Sequence, residues 1–437
     1  MAPLPDRISS IDLIRGFAVL GMIFINMMVY IPNFHDILYK NSLDGKIISE
    51  ASIYEIIFIL FDGKMRALFG ILFGAGILLF FRSGSKELIN KSDLFSRRMF
   101  WLLIFGLLHA YILLWPGSIL LEYAICGLML FTFRDLSARV LLILSFLVLG
   151  YYIFINSKDY YTNYENYKGY KKALVLNSSN KPVSLDIEKK KRSFENYLQN
   201  FPPFDSVMIE KYESEKRAKV LLYTSDLSKI YYSNIDRSTE SLSIGVYTYI
   251  LESIGTMLLG MSLLKYGFFE GNLKKRFYTL FILLGFPVAI IMYYFLFQWR
   301  VATKNELIEI FDWNVFSSES IETTARLFLA LGYCSLLIYC SRLKFLKGII
   351  GLIINVGRTA FTNYIIQTII CTLVFYLLKY YGCFNMFQFL FFGISVIIIQ
   401  LALGYFFIKY MGMGPLESLW RKLTEKGLYL VRVRKNI

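Results

Sequence analysis

The run FGLLHAYILLWPGSILLEYAICGLML at residues 105–130 decides the fold of this chain. It is two apolar stretches around a Trp115-Pro116-Gly117 turn, which reads as a hairpin inside a membrane. It also holds His109, one of only two histidines, and Glu122 beyond the turn. An ionisable side chain at membrane depth costs about 3 kcal/mol unless it is paired or hydrated, so both residues are candidates for function.

Outward from that run, the composition agrees. Of 437 residues, 56% are hydrophobic and 17% aromatic, and only 18% are charged, against about 25% in soluble domains. The chain reads as an all-α integral membrane protein. Crossing a bilayer takes roughly 17 to 25 apolar residues. On that measure ten spans are expected: 11–31, 66–82, 98–115, 118–134, 138–156, 243–265, 277–297, 323–341, 359–378 and 388–410. No cleavable signal peptide is expected, since the first apolar segment begins at Ile11, is too long and lacks a small-residue cleavage site.

The formal charge of +15 does not point to nucleic acid, because Lys and Arg cluster in short loops between apolar segments. That is the pattern that orients a membrane protein. It predicts a multi-pass protein of the cell membrane with both termini in the cytoplasm. Four of the five cysteines lie in apolar helices, so no disulfide framework or zinc site is expected. The segment 157–242 is polar and rich in Tyr and Lys, with KKKR at 189–192. It reads as a large extracytoplasmic loop or cap between the fifth and sixth helices. The chain thus divides into 1–156, 157–242, 243–415 and a basic tail at 416–437. The stretch 52–60 is too short to span and is expected to lie at the interface or dip in. Gly70 and Gly74 are read as helix-packing positions.

Several constellations could carry chemistry. Arg15 and Asn26 are about three turns apart on one helix face, roughly 16 Å along the axis. With Asp12 they suggest a polar path inward from the cytoplasmic boundary. His109 lies about 11 Å from the hairpin turn and Glu122 about 8 Å. Matched depths would let Glu122 orient the imidazole as a general base, or let the pair tie two helices together. Arg66, Glu252, Glu322 and Arg326 gather near the outer boundary, where an arginine suits a phosphate or carboxylate. His35 sits in the first outer loop. No Walker A, dinucleotide-binding, HExxH or GxSxG signature is present, so ATP-driven, dinucleotide and zinc-hydrolase chemistry lack support.

Six blocks resemble the YeiB-like bacterial membrane proteins (domain of unknown function 418), in the same order: RISSIDLIRGFAVLGMIFIN, GKMRALFGILFGAG, the 105–130 hairpin, LLGMSLLKYGFF, VGRTAFTNYIIQTII and GPLESLWRKLT. The resemblance covers nearly the whole chain outside 157–242. More distantly, IDLIRGFAVL is similar to the opening of the membrane acyltransferase superfamily, which includes the lysosomal heparan-glucosaminide N-acetyltransferase. That resemblance implies transfer of an acyl group from cytoplasmic acyl-CoA, acetyl-CoA first, to an acceptor across the membrane. It matches Arg15 to the arginine near the acyl-CoA entrance, while His109 matches the histidine of the YeiB-like hairpin block. Asn26 stands where the O-acetyltransferases have their essential histidine; His35 falls near the histidine position of the N-acetyltransferase branch.

The expectation is therefore an acyltransferase-like envelope protein. His109 would be the base and Glu122 its orienter. Asn26, Arg66 or Arg326 would polarise the carbonyl or hold the acceptor, and Asp12, Arg15 and His35 would line the substrate path. The expected partners are the lipid bilayer, acyl-CoA and an envelope glycan, amine or lipid; homo-oligomerisation is left open, and no resident cofactor or metal is expected. The alternatives are a transporter or flippase using the same polar path, and a non-catalytic envelope factor.

Overall fold

A computed structural model describes residues 8–32, 50–82, 88–199, 206–301, 304–314 and 316–435. His35 lies outside the described residues. All regular structure among the described residues is helical. In chain order the α-helices are α1 (Ser9–Asn26), α2 (Glu50–Phe61), α3 (Lys64–Arg82), α4 (Leu88–Tyr111), α5 (Ile119–Leu130) and α6 (Ala138–Ser178). They continue with α7 (Leu185–Gln199), α8 (Ser206–Thr224), α9 (Leu227–Lys265), α10 (Lys275–Val301) and α11 (Lys304–Trp313). The last five are α12 (Ser318–Cys340), α13 (Lys347–Arg358), α14 (Ala360–Thr372), α15 (Met386–Met411) and α16 (Pro415–Lys435).

Among the described residues, six stretches are long and apolar enough to cross a membrane: Ser9–Tyr30, Ala138–Ser178, Lys275–Phe297, Ser318–Cys340, Ala360–Leu377 and Met386–Met411. The other four expected spans, 66–82, 98–115, 118–134 and 243–265, lie on α3, α4, α5 and α9 but are not among these. Each of the four carries an ionisable residue, namely Arg66, Arg98, Glu122 and Glu252. Helix α5 is also only 12 residues long.

Helix α1 is buried along most of its length. It touches α2, α3, α12, α13, α14 and α15. Outer helices instead present Phe146, Leu147, Phe154, Leu283, Ile291, Phe391 and Ile398 outwards. Such a continuous apolar surface belongs in lipid. Helix α2 is not laid on the surface: Ile53, Tyr54, Ile57 and Phe58 are buried.

The segment expected as a loop is helical. Helix α6 has 41 residues, about 60 Å, twice the ~30 Å hydrocarbon core. Helix α9, with 39 residues, is similarly long, so the expected boundaries at 156 and 242 fall inside unbroken helices. Beyond the bundle, α7 packs back on α6. A small core forms from Tyr167, Phe194, Leu198, Leu307 and Phe311, so α11 joins this cap from outside 157–242. Asp312 accepts hydrogen bonds from Tyr167 and Lys171 at its edge.

Helices α3 and α9 meet at backbone distance. A Cβ on Gly74 would lie 1.9 Å from the Met257 carbonyl oxygen, and one on Gly260 would lie 1.8 Å from that of Ile71. Gly260→Val should therefore force the two helices apart and destabilise the protein by about 1–3 kcal/mol or more. Thermal unfolding in detergent checks this, with Gly76→Ala as the control, since a Cβ there meets nothing within 4 Å.

Candidate functional site

Two cavities lie end to end along the bundle. The cap-side cavity, about 400 Å³, is polar and is lined by Asn26, Asp62, Arg66, Tyr152, Tyr249, Glu319, Glu322 and Arg326, among others. Its charges are wired together. Glu252 on α9 accepts from Arg66 on α3 at 2.7 Å and from Arg326 on α12, and Arg326 also reaches Glu322 at 2.5 Å, one turn away on α12. Arg66 stacks on Tyr249, its guanidinium carbon 4.1 Å from the ring centroid. Burying two guanidiniums is affordable only because carboxylates and further hydrogen bonds meet them. Three helices are thereby tied at one point.

The second cavity, about 470 Å³, differs in character. Its walls are Phe69, Leu72, Phe73, Ile77, Met99, Leu102 and Leu120, while Arg15, Arg98, Arg358, Glu417 and Trp420 stand around its mouth. Arg15 is held by Asp12 at 3.2 Å, which assigns buried Asp12 to fixing Arg15 rather than to the cavity wall. Arg98 lies on the Trp420 ring at 4.1 Å, and Trp420 Nε1 donates to the Arg98 carbonyl at 3.0 Å. Arg15 and Arg98 both line this cavity, and guanidiniums suit an anionic group.

Glu417 closes this mouth from α16. It accepts from the backbone N–H groups of Phe361 at 2.8 Å and Thr362 at 3.2 Å, and from the Thr362 hydroxyl. These are the first donors of α14, which a helix leaves unsatisfied and which attract negative charge. In return the Thr362 hydroxyl accepts from Leu416 N at 3.1 Å, so the two helix starts cap one another.

From Asn26 a ladder of buried amides runs across α1, α14 and α15. Asn26 donates to Gln367 at 3.4 Å; Gln367 donates to Val19 O and to Gln400; Gln400 donates to the Asn363 carbonyl. Arg15 and Asn26 share α1, but Arg15 opens on the basic mouth and Asn26 on the polar cavity.

The expected pairing of His109 with Glu122 is not formed. His109 Nδ1 meets the Ser118 hydroxyl at 3.0 Å and Nε2 meets the Thr368 hydroxyl at 2.9 Å. A neutral imidazole satisfies both, with one nitrogen donating and the other accepting. Glu122 instead accepts from Ser253 on α9. Helical rise matched the depths of the two residues, but depth says nothing of azimuth: His109 faces α14 and Glu122 faces α9. His109 lines neither cavity.

Sequence reasoning placed Arg15, Asn26, Arg66 and Arg326 as candidates, and all four line a cavity. It took Arg98 and Arg358 for orienting charges of the loops, and it assigned no role to Glu417. A signal was present, since Arg358 and Glu417 fall in two of the six resembling blocks. Glu252 was noted only as one of a group; its position between two arginines needs the fold. Glu252→Gln should strip Arg66 of its ion-pair partner, leave Arg326 with Glu322 alone, and cost about 3 kcal/mol of stability. A thermal midpoint unchanged from wild type would overturn that assignment.

Comparison with known proteins gives one family match over part of the chain and relatives at low identity over most of it. A family described as "Protein of unknown function (DUF418)" matches residues 263–427. The chain is 25% identical to "Uncharacterized protein YeiB" of Escherichia coli (strain K12), over 96% of either chain. It is 24% identical to "Uncharacterized protein YxaH" of Bacillus subtilis (strain 168), over 96% of this chain and 94% of that one. A shorter match, 31% identical over 141 residues, is to an "Uncharacterized 39.9 kDa protein in amylase 3'region" of Bacillus acidopullulyticus, covering 31% of this chain and 37% of that protein. No solved structure matches.

Proposed function

Starting from a chain similar to YeiB and YxaH, with residues 263–427 matching the DUF418 family, we propose that it is a membrane acyltransferase. It would take an acyl group from acyl-CoA in the basic-mouthed cavity and pass it to an envelope acceptor in the polar cavity. The observation that carries this reading is the basic-mouthed cavity, an apolar chamber behind Arg15, Arg98 and Arg358. Arginines suit phosphates and apolar walls suit a chain, so the fitting occupant is an amphiphile with an anionic head. The family resemblance of the opening helix adds the thioester donor.

In this reading the basic mouth faces the cytoplasm, in keeping with the Lys and Arg bias of the short loops, and the cap stands on the outer side. The acceptor's hydroxyl or amine attacks the thioester carbonyl, the C–S bond breaks, and CoA leaves as its thiol with the proton the acceptor gives up. Glu319, which lines the polar cavity, would receive that proton from an acceptor there, Glu322 being engaged by Arg326. Asn26, Arg66 and Arg326 would hold the acceptor or polarise the carbonyl. His109 is not the base, because both ring nitrogens are engaged and it faces no cavity.

The test is binding and turnover of radiolabelled acyl-CoA by the purified protein in nanodiscs. Saturable binding is expected, weakened by about tenfold or more in Arg15→Ala and Arg98→Ala, as the loss of a charge-assisted hydrogen bond of ~1.5–3 kcal/mol requires. Release of free CoA thiol separates transfer from transport, since a flippase with the same cavities would move the amphiphile across the bilayer unbroken. No binding of any acyl-CoA overturns the proposal.

A further inference from the structure

Ile119 is the residue that the walls of both cavities share. On α3 the polar cavity ends at Arg66 and the basic-mouthed one begins at Phe69, less than a helical turn away. On α5, Leu120 and Tyr123 belong to the basic-mouthed side alone. Tyr123 also donates to the Arg66 carbonyl at 3.0 Å, which closes the space beside Ile119. The wall between the two chambers is therefore about one side chain thick.

The position of that side chain is fixed from one direction. Ile119 is the first residue of α5, directly after Ser118. A serine in the place of Ser118 ordinarily caps the helix it precedes, but here its hydroxyl makes no cap hydrogen bond and meets His109 instead. The other ring nitrogen of His109 is anchored to Thr368 on α14, and Tyr364 on α14 approaches its ring edge-on, the centroids 4.9 Å apart. The turn between is tight: Leu114 has a φ of 57°, and Trp115 N donates to the His109 carbonyl at 3.2 Å. His109 thus joins α4, the head of α5 and α14 at the level where the cavities abut.

We propose that Ile119 is the gate between the two cavities and that His109 is the positioning residue that sets it. A group crossing from the basic-mouthed chamber to the polar one passes Ile119, whatever the group is. The inference uses the two cavities but not the identity of their occupants, so it stands or falls apart from acyl transfer.

The experiment is sided thiol labelling in oriented vesicles with a membrane-impermeant methanethiosulfonate. Single cysteines are introduced at Ile119→Cys, Leu72→Cys in the basic-mouthed wall and Val29→Cys in the polar wall. The background carries Cys340→Ser and Cys383→Ser; the remaining cysteines are buried. Ile119→Cys is expected to label from either face, Leu72→Cys from the basic-mouth face alone and Val29→Cys from the cap face alone. Labelling of Ile119→Cys from one face only, or from neither, overturns the gate. Adding His109→Ala to Leu72→Cys should open it to reagent from the cap face, raising that rate about tenfold or more, the factor given by 1.4 kcal/mol of lost barrier. His109→Gln, which keeps one hydroxyl bond, should give an intermediate rate and serves if the alanine variant does not fold. Unchanged sidedness with a lowered melting temperature would make His109 a fold-holding residue only, and would overturn its positioning role.

Discussion

The placement of charge in this bundle depends on Glu252, a carboxylate held between two arginines. Arg66 and Arg326 sit on different helices, and neither guanidinium would be tolerated inside a membrane protein without a counter-charge. Because α9 brings Glu252 to both, α3, α9 and α12 are pinned together at one depth. The close glycine crossing of α3 and α9 adds a backbone contact between two of these helices. Helices α3, α4, α5 and α9, each with an ionisable residue, are the ones the bundle encloses or partners, while the strongly apolar α10 and α15 face lipid.

That arrangement gives the protein its polarity along the axis. One end has a carboxylate-and-arginine cavity beneath a helical cap, and the other an apolar chamber behind a ring of arginines. The hairpin at 105–130 separates the two chambers. Its histidine is spent on geometry: both nitrogens are bound to hydroxyls, and the turn they fix sits where the chambers touch.

Much of this was legible in the chain. Hydropathy placed every expected span on a helix, because an apolar run of that length has few other ways to satisfy its backbone. Arg15, Asn26, Arg66 and Arg326 were visible as polar residues in apolar surroundings, an expense that needs a reason. The cap was legible as polar and aromatic, but not as a continuation of α6 and α9, because its amphipathic faces are paired with one another and with α11. Arg98 and Arg358 were hidden by a competing explanation, since a basic residue at a helix end already has a role in orientation.

Sequence alone determined that the chain is helical, where it is apolar enough for lipid, and which residues are too polar to be there by accident. Tertiary structure alone decided which of them meet. His109 and Glu122 match in depth along their helices, yet each turns to a different neighbour, because rotation about a helix axis is set by packing and not by spacing. The same rotation made Glu252 a bridge, turned Arg98 towards a cavity, and left Ile119, an unremarked apolar residue, between two chambers.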